Sequence, residues 1–201
     1  MYFIRLIVEG IDRVNLWVGK TVKWMLLAAT LLSASNALIR KFFGVSSNGM
    51  LEAQWYFFAS VFLLGAAYAF QQNSHVRIDF LSARFTAKKR NLIDAVGICF
   101  ILIPFCVFMI SLSWGLFSSA WSTNEMSSNA GGLVRWPVYL LIPAGFALLL
   151  LQAFAELSKR TLFLLGKMED SIPEDHSSED SVAAVEFMGE RQPFHTQSER
   201  S

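Results

Sequence analysis

The run His75-Val76-Arg77-Ile78-Asp79-Phe80-Leu81 sets an imidazole, a guanidinium and a carboxylate at alternate positions between apolar residues. Histidine beside aspartate is a pairing used to move protons, and it is also a ligand pair for metals. Arginine offers a planar fork for a carboxylate or a phosphate. A third possibility is an anchor at the edge of a membrane. The choice depends on what lies on either side.

The remaining reactive groups are sparse. The other two histidines, His176 and His195, lie in an acidic tail. A bis-histidine haem needs two facing ligands within a helical bundle, and the apolar segments contain no histidine. There is no Cys/His spacing suited to zinc, no phosphate loop and no nucleophile elbow. Cys99 and Cys106 are seven residues apart, which on a helix is ~10 Å and beyond disulfide reach, so they read as packing residues. The sequence therefore assigns no catalytic, cofactor-binding or metal-ligating residue. A net charge of +1 gives no sign of a nucleic-acid partner.

The elements that hold these groups follow from the charge pattern. No Asp, Glu, Lys or Arg occurs in Trp24–Ile39, Ala53–Phe70, Ala95–Ala120 or Pro137–Ala155. Each window approaches or exceeds the ~20 residues that cross a hydrocarbon core. Lys20 and Lys23 extend the first window by snorkelling. The expected fold is an all-α integral membrane protein with four transmembrane helices, at about residues 19–39, 52–71, 93–120 and 137–157. Residues 1–18 form an amphipathic helix. Arg5, Glu9, Asp12 and Arg13 gather on one face, and Phe3, Ile4, Ile7, Val8, Ile11, Val14 and Val18 on the other. Such a helix lies in the membrane interface or packs on its own bundle. A cleaved signal peptide ending at Ser33-Ala34-Ser35 is not expected, because the preceding region is long and carries Glu9 and Asp12.

The flanks between windows hold four, two, five, one and three Lys or Arg residues in chain order. By the positive-inside rule both termini and the second loop are cytoplasmic. Trp114, Trp121, Trp136 and Tyr139 bracket the third loop as an aromatic belt on the other side. Pro104 and Pro143 fall inside spans, where bundle packing can absorb a kink. The four-span domain covers residues 19–160. Residues 161–201 form a tail whose last 34 residues, from Met168, carry nine acidic and two basic residues, and the tail is expected to be disordered.

In this frame the opening run sits at the cytoplasmic exit of span two. Gln71, Gln72 and Asn73 provide the polar step out of the bilayer. Asp79 can cap a short surface helix from Phe80 to Phe85, and Thr86 can cap the start of span three. The spans offer no buried carboxylate for proton relay or ion coupling. Glu52 reads as an interfacial side chain, and Glu156 sits at the inner end of span four beside Lys159 and Arg160.

The small-residue stretch Gly65-Ala66-Ala67-Tyr68-Ala69 followed by HVRIDFL resembles the small permease subunit of TRAP transporters. This is the four-helix Q-type membrane subunit of tripartite ATP-independent periplasmic transporters. Arg40 after span one and Glu52 near Trp55 add to the resemblance, which covers about Trp17 to Leu157. Ser74 stands where the family commonly has Gly, and the long acidic tail is a further departure. The resemblance implies a bacterial inner-membrane protein that braces a large permease in a 1:1 pair. It implies sodium-coupled symport of organic acids or related solutes delivered by an extracytoplasmic solute-binding protein. Arg40, Glu52, Trp55, Gly65, His75, Arg77 and Asp79 become the candidate structural, partner or membrane-lipid contacts. A membrane anchor of a redox complex is the alternative, although it should carry haem or quinone ligands. An autonomous small transporter would need polar intramembrane residues or an inverted repeat.

Overall fold

The computed structural model describes residues 2–44, 47–72 and 86–165. Helix α1 spans Tyr2–Phe43, α2 Asn48–Gln71, α3 Ala87–Gly97, α4 Ile103–Thr123 and α5 Trp136–Leu164. One π-helical turn, Ile98–Leu102, joins α3 to α4. Four helical stretches are long and apolar enough to cross a membrane: Leu6–Phe43, Asn48–Gln71, Lys88–Thr123 and Trp136–Leu164. The expected all-helical, four-span architecture is thus present. The run from His75 to Phe85 and the acidic tail from residue 166 lie outside the described residues. The chain divides into Met1–Asp170 and Ser171–Ser201, and the bundle belongs to the first unit.

Helix α5 is the hub of the bundle. It packs against α2 on one side and α4 on the other, while α1 packs mainly on α2 and crosses α5 near one end. Two glycines set the closest approaches. A Cβ on Gly145 of α5 would lie 2.7 Å from the carbonyl oxygen of Leu63 in α2. A Cβ on Gly19 of α1 would lie 2.4 Å from the ring of Tyr68 in α2. Small residues are what let membrane helices come this close. Gly65, by contrast, faces Val22 at an ordinary 3.5 Å. Within the same small-residue stretch Ala67 is fully buried inside the bundle.

Two features are arranged differently from the sequence reading. The amphipathic segment and the first span form one continuous helix of 42 residues, ~63 Å long. No Pro or Gly cluster interrupts residues 2–43, and helical hydrogen bonding propagates once started. Along its first turns the apolar Leu6, Ile7, Val14 and Trp17 point outward, whereas Asn15 is buried and Asp12 half-buried. Hydrocarbon solvates the apolar side, so the inward face is where polar groups find partners. The second feature is the π turn, which lies just before Pro104. Proline lacks an N–H and clashes with the carbonyl four residues back, and one wider turn absorbs both effects. Thr86 does occupy the N-cap position of α3, but its side chain makes no capping bond. Of the two cysteines, Cys106 is buried and Cys99 exposed.

Candidate functional sites at the two ends of the bundle

At the end formed by the start of α2 and the α4–α5 loop, Glu52 holds the loop together. Oε1 accepts from the hydroxyl of Ser127 and from Nδ2 of Asn129 at 2.9 Å. Oε2 accepts from the backbone N–H of Leu133 at 2.6 Å. The loop doubles back through an antiparallel bridge between Met126 and Val134, closed by Ser127 N–H to the Leu133 carbonyl at 2.9 Å. Gly131 turns it at φ +72°, a region costly for residues with a Cβ. Asn48 donates to the Ala130 carbonyl at 3.0 Å and Tyr56 to that of Val134 at 2.9 Å. The sequence placed Glu52 at an interface, and the structure gives it this specific work.

Arg135 follows the loop at the N-cap of α5. Its Nη1 lies 3.2 Å from Oε1 of Glu125. A hydrogen bond to Tyr139 is the largest cause holding its pKa above the ordinary arginine value, and Glu125 adds to it. Trp55, 69% exposed, projects beside this cluster. Trp121 and Trp136 meet edge to face at 4.7 Å between ring centres. Arg40 is exposed in the last turn of α1.

The opposite end carries a cluster that the sequence reading did not anticipate. Gln152, Glu156, Lys159 and Arg160 follow helical spacing on one face of α5. Gln152 is fully buried, and Glu156 and Arg160 are each 3% exposed. Lys159 Nζ lies 2.8 Å from Oδ2 of Asp12 and 2.9 Å from Oε1 of Glu156. Arg160 Nη1 reaches Asp94 Oδ2 at 2.6 Å and Asn91 Oδ1 at 3.4 Å. Gln152 Nε2 donates to Asp12 Oδ1 at 3.0 Å, and Gln71 Nε2 donates to the Asp12 carbonyl at 3.0 Å. One ionic cluster therefore ties α1, α3 and α5, with α2 attached through Gln71.

The expectation that no span buries a carboxylate is corrected by Glu156. Its position beside two cations was visible in the sequence, but burial depends on α1 and α3 covering it. The signal that could have found the cluster is the pairing of two polar stripes, Asp12 with Asn15 and Gln152 with Glu156 and Lys159. Paired in this way, the cluster's charges meet one another, while Oδ1 of Asn15 and Oε1 of Gln71 find no partner among the described residues, and the arrangement is suited to fixing helix positions. Among the described residues no group of three His, Cys, Asp or Glu side chains is placed to hold a metal ion. Of the seven candidate residues, Glu52 and Trp55 come together at the loop end and Arg40 and Gly65 lie apart from them. His75, Arg77 and Asp79 fall outside the described residues.

Four long apolar helices with outward-facing Phe, Leu and Trp side chains define a multi-pass membrane protein. The model for the family described as tripartite ATP-independent periplasmic transporters, DctQ component, matches residues 16–162, and the chain belongs to that family. It is therefore a small membrane subunit of a TRAP transporter. No curated protein and no solved structure matches the chain.

Proposed function

We propose that this chain is the non-catalytic brace of a sodium-coupled TRAP transporter for organic acids or related solutes. The large permease would carry solute and sodium, and an extracytoplasmic binding protein would deliver the solute. One observation carries this reading: the charged groups turned into the bundle are held by other groups of the same chain. Asp12 and Glu156 bind Lys159, Asp94 binds Arg160, and both oxygens of Glu52 accept hydrogen bonds from the loop. Such internal pairing suits a rigid support more than an ion pathway.

The protein is assigned to the bacterial inner membrane with both termini and the second loop cytoplasmic. The third loop, Ser122–Gly132, then faces the periplasm. The outward aromatic faces of α2 (Phe58, Phe62) and of the π turn and α4 (Phe100, Phe105, Phe108) offer area for the permease. Arg40 sits at the outer membrane edge, where a headgroup or the permease can contact it. His75, Arg77 and Asp79, outside the described residues, are proposed as contacts to headgroups or the permease. Co-expression with a large TRAP permease from the same genome tests the assignment. The two should co-elute in detergent at equal stoichiometry, and failure to form a complex would reject the brace.

A further inference from the structure

Between α2, the α4–α5 loop and the start of α5 lies an open cleft of about 310 Å³. Its exposed surface is mostly apolar, with Leu51, Trp55 and Val138 in its walls, while its other lining residues are polar, Glu52, Arg135 and Tyr139 among them. A carboxylate and a guanidinium thus face one cavity without pairing with each other. Arg135 reaches instead to Tyr139 and to Glu125, the latter in a bridge whose two side chains are 36% and 40% exposed. An exposed pair of that kind is weak and easily exchanged. Glu52 uses one lone pair of Oε2 on Leu133 and leaves the oxygen with room for a second donor.

We propose that this cleft binds the headgroup of a zwitterionic glycerophospholipid that carries a primary ammonium. The lipid phosphate sits on Arg135, whose fork matches its oxygens and whose place at the start of α5 adds the positive end of the helix dipole. The ammonium turns toward Glu52 and the aromatic faces of Trp55 and Tyr139, which attract cations. The acyl chains leave through the open side of the cleft into the bilayer. Charge complementarity selects this occupant. A purely anionic headgroup would meet Glu52 and Glu125 as well as Arg135, and a bare hydrocarbon would offer neither charge a further partner. The cleft lies at the level of the Trp121–Trp136 pair, where such rings mark the headgroup region.

The inference rests on the reading of the chain as a membrane subunit, which permease co-elution tests separately. Native mass spectrometry of the purified full chain, offered phosphatidylethanolamine, phosphatidylcholine or phosphatidylglycerol, tests the site itself. One phosphatidylethanolamine should be retained after delipidation. Trp55→Ala and Arg135→Ala should each weaken retention ~10-fold, or about 1.4 kcal/mol in binding free energy. Trp55→Ala removes a cleft wall and none of the loop's hydrogen bonds, so it separates ligand loss from loop collapse. Phosphatidylglycerol, without the ammonium, should bind more weakly than phosphatidylethanolamine. Equal retention of the three headgroups, or unchanged retention in both variants, would overturn the site. So would a photocrosslinker at position 55 that captures only protein in the assembled complex.

Discussion

The side-chain amide of Asn15 donates to Oε1 of Gln152 at 2.5 Å, across 137 residues of chain. The direction of this bond is fixed by its surroundings. Asp12 and Glu156 pair with Lys159 as carboxylates, which only accept, so the Gln152 NH₂ must point toward them and its oxygen toward Asn15. The helix crossing is thereby tied to one register.

Replacing Gln152 by Leu should therefore destabilise the bundle. It strands the buried Asn15 amide, and an unsatisfied buried group costs ~1–3 kcal/mol. The thermal midpoint of the purified protein in detergent should fall, and the Asn15→Leu/Gln152→Leu pair should recover part of the loss. A single variant that melts like the wild type would show that the bond does not hold the crossing.

Glu52→Gln keeps the shape of the side chain but exchanges one acceptor oxygen for an NH₂ group. Either the Leu133 amide or the Ser127 and Asn129 donors then lose their partner, and the loop should open. Limited proteolysis should cut within residues 124–135 several-fold faster than in the wild type, with the helices intact. Unchanged cleavage would mean that Tyr56, Asn48 and the backbone bridge are enough to hold the loop.

The three glycines should respond in a ranked order. Gly145→Ala forces a methyl against the Leu63 backbone, and overpacking of this kind costs ~1–3 kcal/mol. Gly19→Ala pushes on the Tyr68 ring and should also lower stability. Gly65→Ala meets only an ordinary contact with Val22 and should be tolerated. Detergent melting of the three variants gives the order directly, and a Gly65 variant that melted lowest would contradict the packing described.

Reporter fusions check the orientation. A fusion at Asn129 should report the periplasm and one at Lys88 the cytoplasm. A cytoplasmic signal at Asn129 would invert the topology.

Sodium-driven uptake in proteoliposomes, normalised to intact complex, addresses the second loop. On the proposed bracing role, Asp79→Ala and Arg77→Ala should each reduce uptake through weaker assembly. His75→Gln should be milder. If His75→Gln abolished uptake while assembly stayed normal, the bracing role would fail.

The sequence by itself determined the four spans, because charge-free windows of this length leave a helix in hydrocarbon as the one economical way to pair every backbone group. The family was also legible, since the match over residues 16–162 contains the Arg40, Glu52 and HVRIDFL positions that carry the resemblance. Continuity of α1 through residue 18 was harder to read, because an amphipathic stripe looks the same whether it faces headgroups or a neighbouring helix. Glu52 shows the same limit. Its residue type and place near Trp55 indicate an interface, while its three donors come from a loop more than seventy residues away. Only the tertiary structure decided which polar groups are inside. Asp12, Asn15, Gln152, Glu156 and Lys159 are unremarkable along the chain, and they become a cluster when α1 crosses α5. That crossing depends on contacts distant in sequence, including Gly19 with Tyr68 and Gly145 with Leu63, and side-chain periodicity within one helix does not encode its neighbour's register.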